Sequence, residues 1–267
     1  MHSLLRARVL DWYAVNARPL PWRDPSCSPW GVLVSEVMSH QTPVARVEPV
    51  WRAWMLRWPT PADLAAESPG EVVRAWGRLG YPRRALRLRE AAVAIVERHA
   101  ASVPDTEDAL RALPGVGAYT AAAVAAFAFR RRSVVVDTNV RRVLVRAVLG
   151  REHAAPALTA AESALAASLV PDDPATAATW NVAVMELGAL VCRARSPRCE
   201  HCPVLDLCAW VAGGRPAHEG PPRRGQAWHG TDRQVRGAVL QLLRESPGPV
   251  ARASIEPAGP DRLRLPR

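Results

Sequence analysis

The stretch Leu113-Pro114-Gly115-Val116-Gly117 joins two segments whose apolar residues have helical spacing, 106–111 and 118–129. Its two glycines permit a tight turn, and the free N–H groups of such a turn and of the following helix N-terminus can bind a phosphate oxygen. Taken alone, the stretch is best explained as a plain turn between helices. Whether this stretch binds phosphate or is only a turn therefore depends on the motifs that accompany it.

Helical patterns cover most of the chain. The one strand-like run, Val134–Val136, is too short to indicate a sheet, and proline or glycine separates the helical segments. An amphipathic helix is predicted at Thr231–Glu245, after a linker rich in Gly, Pro, Arg and His. The sequence thus predicts an all-α protein, with further helical patterns at 4–15, 29–58, 70–78, 83–99, 106–111 and 118–129.

The charge balance favours a polyanionic partner. The 267 residues include 35 Lys+Arg, every one an arginine, against 25 acidic residues, for a formal charge of +10. Without lysine, a Schiff-base nucleophile is excluded except at the N-terminal amine. No apolar run has the length of a membrane span and the N-terminus does not resemble a signal peptide, so we expect a soluble cytoplasmic protein without membrane contact.

Four cysteines form a metal-binding pattern, C-x6-C-x2-C-x5-C, at Cys192, Cys199, Cys202 and Cys208. Thiolates this close together can ligate a tetrahedral zinc ion or the four irons of a cubane cluster. Zinc sites usually have two short C-x2-C pairs, and this pattern has one. The loop between the cysteines is polar, which argues against four unrelated buried thiols. Cys27 stands apart and is interpreted as an ordinary thiol.

A carboxylate follows the hairpin in Val136-Asp137-Thr138-Asn139-Val140-Arg141-Arg142, and its simplest role is to cap the next helix. Hairpin, aspartate motif and cysteine spacing together resemble the helix-hairpin-helix DNA glycosylases of the endonuclease III superfamily. The resemblance implies that Asp137 is also catalytic and that the cysteines hold a [4Fe-4S] cluster. It implies a two-lobed fold, with a six-helix barrel lobe at 19–132, an iron–sulfur lobe at 1–18 plus 133–210, a linker at 211–230 and a short basic tail at 231–267.

Three features of the sequence distinguish between the branches of this superfamily. Glu36 stands where adenine DNA glycosylases, the MutY branch, have their catalytic acid, and Tyr119 stands where strand-cutting relatives need a lysine. Leu20-Pro21-Trp22-Arg23 resembles a motif of the same branch. The residues around Glu36 are mostly apolar, so a raised pKa, which a general acid needs, is expected for it. The resemblance therefore implies a monofunctional adenine DNA glycosylase.

The chemistry implied by this resemblance divides between two carboxyl groups. Adenine is flipped out of the duplex, protonated Glu36 donates to its N7 atom, and ionised Asp137 stabilises the positive charge that develops on the sugar. Tyr119 and Asn139 orient these acids. The remaining substrate contacts implied are Trp22 and Arg23 beside the base, Gln41 and Tyr81 in the base stack, Leu113, Gly115, Val116 and Gly117 in the hairpin, and arginines 141, 142, 193, 195 and 198 at the DNA backbone.

The chain departs from the branch pattern at several positions. His40 replaces the usual glutamine, Ser39 a leucine, Pro82 a tyrosine, and Thr138 a glycine found in several members. Residues 222–267 are too few for the Nudix-like domain that recognises 8-oxoguanine in many members, so we expect a short form. Selectivity for 8-oxoguanine is left open by the sequence.

Two alternatives remain at this stage. One is a thymine or uracil mismatch glycosylase of the same fold, against which Glu36 argues, because thymine has no N7 atom. The other is a catalytically inactive iron–sulfur DNA-binding protein, against which the combination of Glu36, Asp137, Tyr119 and Asn139 argues. The expected partner is double-stranded DNA with A:8-oxoguanine or A:G mispairs, bound by a monomer associated with the bacterial nucleoid.

Overall fold

A computed structural model describes residues 2–218, 220, 231–246, 248, 250 and 251. Within these residues the chain is helical and contains no strand, which confirms the all-α prediction. Short 3-10 turns lie at Pro21–Arg23, Cys199–His201 and Leu205–Leu207. The helices are α1 His2–Asn16, α2 Pro29–Ser39, α3 Val44–Arg57, α4 Pro61–Ala66, α5 Pro69–Trp76, α6 Arg83–Arg98, α7 Glu107–Arg111, α8 Ala118–Phe129, α9 Thr138–Ala147, α10 Ala160–Leu169, α11 Pro174–Leu190, α12 Ala209–Ala212 and α13 Asp232–Glu245.

Side-chain caps fix where many of these helices begin. A serine, threonine or aspartate at the N-cap accepts a hydrogen bond from a backbone N–H in the first turn, which would otherwise lack a partner. Thr60 and Thr159 each form a reciprocal capping box with the acidic residue three positions later. Single caps precede α2, α5, α7, α9 and α11, at Ser28, Ser68, Thr106, Asp137 and Asp173.

The continuous helical pattern at 29–58 is two helices in the structure, α2 and α3. Gln41 has a positive φ of 55°, and Pro43, which has no N–H to donate, precedes α3. The Arg84 guanidinium stabilises the break, because it donates to three carbonyls at the end of α2 that the interrupted helix leaves without partners. These carbonyls belong to Val37, Met38 and His40.

Two main hydrophobic clusters hold the chain together. One contains buried residues of α2 to α8, and the other contains residues of α1, α9, α10, α11 and α12. Helix α1 therefore packs in the second cluster, against α11, although α2 follows it in the sequence. The clusters support the predicted division into a lobe at 19–132 and a lobe at 1–18 plus 133–210, whose boundaries stay a prediction.

The predicted C-terminal helix is present as α13. Arg74 of α5 donates to the carbonyls of Arg244 and Ser246, at 2.9 and 3.2 Å, so the end of α13 lies against α5. Of the predicted linker and tail, residues 219, 221–230, 247, 249 and 252–267 lie outside the described residues. No described helix combines the length and apolarity needed to cross a membrane.

Candidate active site

A cavity of about 580 Å³ opens between α2, α8, α11 and the segment before α2. Its lining brings together side chains that lie far apart in the sequence. Six of the predicted site residues share this lining: Trp22, Arg23, Glu36, Tyr119, Asp137 and Asn139. A cavity of this size suits a small, flat ligand such as a nucleobase.

Glu36 lies on α2, where its carboxyl group is 9% exposed among apolar neighbours. The Tyr119 hydroxyl donates to its Oε2 at 3.0 Å. Burial raises the pKa of Glu36 to about 7. The Tyr119 hydrogen bond opposes this change, the negative charge of Asp137 adds to it, and the positive charge of Arg23 opposes it. This carboxyl group can therefore hold a proton close to neutral pH.

Asp137 is the N-cap of α9, as expected, and it faces the same cavity. The backbone N–H of Val140 donates to its Oδ1 at 2.6 Å, and the side-chain amide of Asn139 donates to its Oδ2 at 2.7 Å. Burial raises the pKa of Asp137, whereas these hydrogen bonds and the charge of Arg142 act in the opposite direction. The cap thus supplies donors that stabilise an anion at this position.

Tyr119 lies in the first turn of α8 and contacts both Glu36 and His40, the residue that follows α2. Burial, together with the charges of Glu36 and Asp137, raises the pKa of Tyr119 well above its ordinary value, so the phenol remains a donor. Its ring lies 5.9 Å from the ring of His40, which contacts Thr120 at 3.1 Å. No side-chain amine occupies this position, which agrees with the absence of lysine from the chain.

Asn139 is held by a chain of hydrogen bonds that reaches the cysteine loop. Arg142 donates from Nη2 to Asn139 Oδ1 at 2.7 Å and to the Gly188 carbonyl at 2.6 Å, and from Nε to the Cys192 carbonyl at 2.6 Å. A Cβ atom at Gly188 would come within 2.7 Å of Asn139 Cβ, so a glycine is needed for this approach of α11 to α9. The orientation of Asn139 therefore depends on residues outside the cavity.

Two arginines expected at the DNA backbone point elsewhere. The guanidinium of Arg142 makes the hydrogen bonds just described. Arg141 forms an ion pair with Glu162 and donates to the carbonyls of Ala155 and Ala157 at 2.8 Å. That expectation was wrong for these two residues, because both guanidiniums are occupied by acceptors within the protein, several of them partly buried. In the cysteine loop, Arg193 is partly buried, and the exposed cations are Arg195 and Arg198.

Replacing Arg142 by glutamine should lower the free energy of unfolding by about 2–4 kcal/mol, because the partly buried Cys192 and Gly188 carbonyls lose their charged donor. Denaturant titration of the cluster-containing protein measures the change. Arg195→Gln in the cysteine loop is the matched control, and the loss of its exposed charge should change stability by less than about 0.5 kcal/mol. Equal stability of the two variants would contradict this account of Arg142.

The four cysteines at 192, 199, 202 and 208 all pack against the second hydrophobic cluster. Burial raises the pKa of Cys202 to about 12, and the charges of the three other thiols add to the effect. Thiols in such surroundings ionise only when a positively charged centre compensates them, so the donor set fits an iron–sulfur cluster. Cys27 packs against the first hydrophobic cluster instead, consistent with an ordinary thiol.

The hairpin and the proposed stack-inserting residues lie outside the large cavity. Gly115 has a φ of +77°, and a Cβ there would lie 2.6 Å from Arg87 Cβ, which explains the glycine. Leu113 and Val116 are buried. A second cavity of about 140 Å³ is lined by the hairpin and by Arg83, Arg84 and Arg87. Gln41 and Tyr81 both have positive φ, and Arg84 lies 5.7 Å from the Tyr81 ring.

Sequence reasoning missed Glu186 of α11 and Arg18, which both line the large cavity. The Glu186 side chain is 0% exposed and accepts hydrogen bonds from Arg18 and Arg23. A signal was available: Glu186 is the single charged residue in the mostly apolar helix Pro174–Leu190. A buried charge on such a helix requires a partner.

Comparisons with known proteins agree with this geometry. Residues 34–166 match the HhH-GPD superfamily of base excision DNA repair proteins, and residues 192–208 match the iron–sulfur binding domain of endonuclease III. Adenine DNA glycosylases of Mycobacterium tuberculosis and Mycolicibacterium smegmatis are each 54% identical to the chain, over 94% and 95% of it and over 82% and 85% of their own lengths. The chain belongs to the adenine DNA glycosylase family.

Other relatives of this adenine DNA glycosylase family member support the same fold. The human adenine DNA glycosylase is 43% identical over 77% of this chain and 39% of its own length. A thermostable thymine-DNA glycosylase has a TM-score of 0.70 and 26% identity, covering 79% of this chain and 97% of that one. Endonuclease III in a DNA complex has a TM-score of 0.67 at 24% identity, covering 80% and 98%. The protein is a DNA-binding repair enzyme with a [4Fe-4S] cluster.

Proposed function

We propose that this glycosylase hydrolyses the N-glycosidic bond of adenine mispaired with 8-oxoguanine or guanine in duplex DNA and leaves the strand uncut. The observation that carries the proposal is the position of Glu36, a carboxyl group with a pKa near 7 that shares one cavity with Asp137. Two acids with opposite protonation in one pocket are what removal of a purine base requires. The absence of lysine supports a monofunctional enzyme.

In the proposed reaction, Glu36 transfers its proton to N7 of the flipped adenine. The electron pair of the bond between C1′ and N9 then leaves with the base, and ionised Asp137 stabilises the positive charge on the sugar. The oxygen of a water molecule bonds to C1′, and its proton returns to Glu36. Tyr119 orients Glu36, and Asn139 orients Asp137, through the hydrogen bonds at 3.0 and 2.7 Å.

The hydrogen bonds favour this assignment of acid and base. Asp137 accepts from Val140 N–H and from the Asn139 amide, and such donors stabilise the ionised form. Glu36 accepts one hydrogen bond, from Tyr119, and its buried position among the mostly apolar residues of α2 favours the protonated form. The two carboxyl groups are thus separated in protonation by their surroundings.

The DNA is proposed to lie across the faces that carry the hairpin and the cysteine loop. Arg195 and Arg198 are exposed and suited to backbone phosphates, as are the hairpin N–H groups. Gln41 and Tyr81 keep the proposed role in the base stack, and Trp22 and Arg23 the role beside the base. The four cysteines would hold the cluster, which shapes this loop when bound. We further propose a monomer in the cytoplasm, associated with the nucleoid.

A duplex panel tests the proposal. Purified protein is mixed in excess with duplexes that carry adenine opposite 8-oxoguanine, guanine, cytosine or thymine, and thymine opposite guanine. Free base is measured, and strand breaks are measured before and after alkali. Adenine release opposite 8-oxoguanine and guanine, with breaks only after alkali, is expected. Release of thymine without release of adenine would show that the chain is a thymine mismatch glycosylase instead.

The rate of adenine release should depend on pH as its acid requires. Because the pKa of Glu36 is raised to about 7, the single-turnover rate should fall as pH rises through 7, by about tenfold per unit once Glu36 is ionised. It should also fall at acidic pH, where Asp137 becomes protonated. Single-turnover rates measured between pH 5 and 9 give this profile, and a rate that keeps rising above pH 8 would contradict the role of Glu36.

A further inference from the structure

Glu186 is a buried carboxylate in the wall of the active-site cavity that receives four donors from two arginines. The backbone N–H of Arg18 donates to it at 3.1 Å, and Arg18 Nε and Nη2 each donate at 2.7 Å. Arg23 Nη2 donates at 2.8 Å. Burial alone would raise the pKa of Glu186, but these hydrogen bonds and charges outweigh it and lower that pKa to about 2. Glu186 is therefore ionised throughout the working pH range.

The two arginines line the same cavity as a carboxyl group that must stay protonated in the proposed reaction, and the positive charge of Arg23 opposes its protonation. Arg18, Arg23 and Glu36 line the same cavity, and a positive charge close to a carboxyl group favours its ionised form. With Glu186 in place, one negative charge offsets two positive ones in this wall. The other charged or titratable groups around the cavity are Tyr13, Asp24, Cys27, Tyr119, Arg130 and Asp137.

We propose that Glu186 is a positioning residue that fixes Arg23 and Arg18 in the cavity wall and offsets their charge, so that Glu36 keeps its proton. The inference rests on the proposed function, since it takes Glu36 as the acid and Arg23 as a contact of the base. Glu186 belongs to α11, whereas Arg18 and Arg23 belong to the segment between α1 and α2. The same contacts therefore also fix this segment against α11.

A structural ion pair of the same kind serves for comparison. Glu162 of α10 is 6% exposed and pairs with Arg141, but neither residue lines the large cavity. Removing the charge of either glutamate leaves a partly buried arginine without its partner, which destabilises the protein. Only the removal of Glu186 leaves the uncompensated charge in the wall of the cavity that Glu36 also lines.

Glu186→Gln is the central test, because glutamine keeps the shape of the side chain and removes its charge. We measure single-turnover adenine release opposite 8-oxoguanine from pH 5 to 9 with the cluster-containing protein. The alkaline limb should move to lower pH by about half to one unit, so that the rate at pH 8 falls by about three- to tenfold and the rate at pH 6 by less than about twofold. Arg23→Gln added to this variant should move the limb back to higher pH.

Two further variants keep the inference falsifiable if the glutamine variant is unstable. Glu186→Asp retains the charge, so its rate should fall while its alkaline limb stays in place. Glu162→Gln should lower stability and leave the limb in place. An unchanged limb in Glu186→Gln, or a similar shift in Glu162→Gln, would overturn the role of Glu186 while wild-type adenine release upholds the proposed function. Absence of adenine release by the wild type would overturn both.

Discussion

Glu36→Gln should reduce single-turnover adenine release by about 10²–10⁴-fold, the usual contribution of a general acid. Glutamine can still accept the Tyr119 hydrogen bond at this position, so the geometry of the cavity is retained while the transferable proton is lost. Duplex binding, measured by fluorescence anisotropy, should remain close to that of the wild type. A variant that releases adenine within tenfold of the wild-type rate would show that another group protonates the base.

The unfolding free energy of the Glu36→Gln variant provides a control for its loss of activity. The folded-state pKa of Glu36, about 7, lies above the unfolded value of 4.5. The stabilisation due to its protonated form is complete below pH 4.5 and is lost as pH rises through 7. Glutamine does not ionise, so from pH 4.5 to pH 8 the variant should gain up to about 3 kcal/mol of unfolding free energy relative to the wild type. A loss of activity caused by misfolding would show the opposite result.

Asp137→Asn should reduce adenine release by about 10³-fold, because the neutral amide cannot stabilise positive charge on the sugar. Asparagine is as good an N-cap as aspartate, so the Val140 N–H keeps an acceptor and α9 keeps its start. The free energy of unfolding should therefore change by less than about 1 kcal/mol. Single-turnover rates and denaturant titrations of the same preparation separate these two effects.

Asp137→Ala is the matched variant for the cap. It removes the charge and the cap together, and it should cost about 1 kcal/mol more stability than Asp137→Asn with a comparable loss of rate. If the asparagine variant retained most of the activity, capping would be the main role of Asp137 and its proposed charge stabilisation would be wrong. The two substitutions thus separate roles that one side chain combines.

Local patterns predicted much of the helical structure. The apolar run from Ala118 to Phe129 is one helix with these same bounds, because nothing in it breaks the helix and its N-terminus follows the hairpin. The pattern at 29–58 predicted one helix where the structure has two. Apolar periodicity resumes after Pro43 and conceals the positive φ of Gln41, a backbone conformation that periodicity does not report.

The site was predicted less evenly, and the reason is the range of the contacts involved. Glu36 and Asp137 stand in recognisable local motifs. By contrast, Glu186 and Arg18 form a hydrogen bond although they are 168 residues apart in the sequence. The motif around Arg141 and Arg142 has the same sequence whether its side chains face solvent or protein. Burial of such polar groups depends on which helices meet, which local spacing does not specify.

The close approach at Gly188 has a consequence for interpreting sequence variants of this protein. Gly188→Ala adds one methyl group and would pass as conservative on a substitution scale, since alanine is the better helix former. Here that methyl group has no room, because Asn139 occupies the space. The helices would have to separate, and Asn139 orients Asp137. Substitution of a residue that takes no part in the reaction can thus inactivate the enzyme. Harmful variants should therefore be sought beyond the cavity lining.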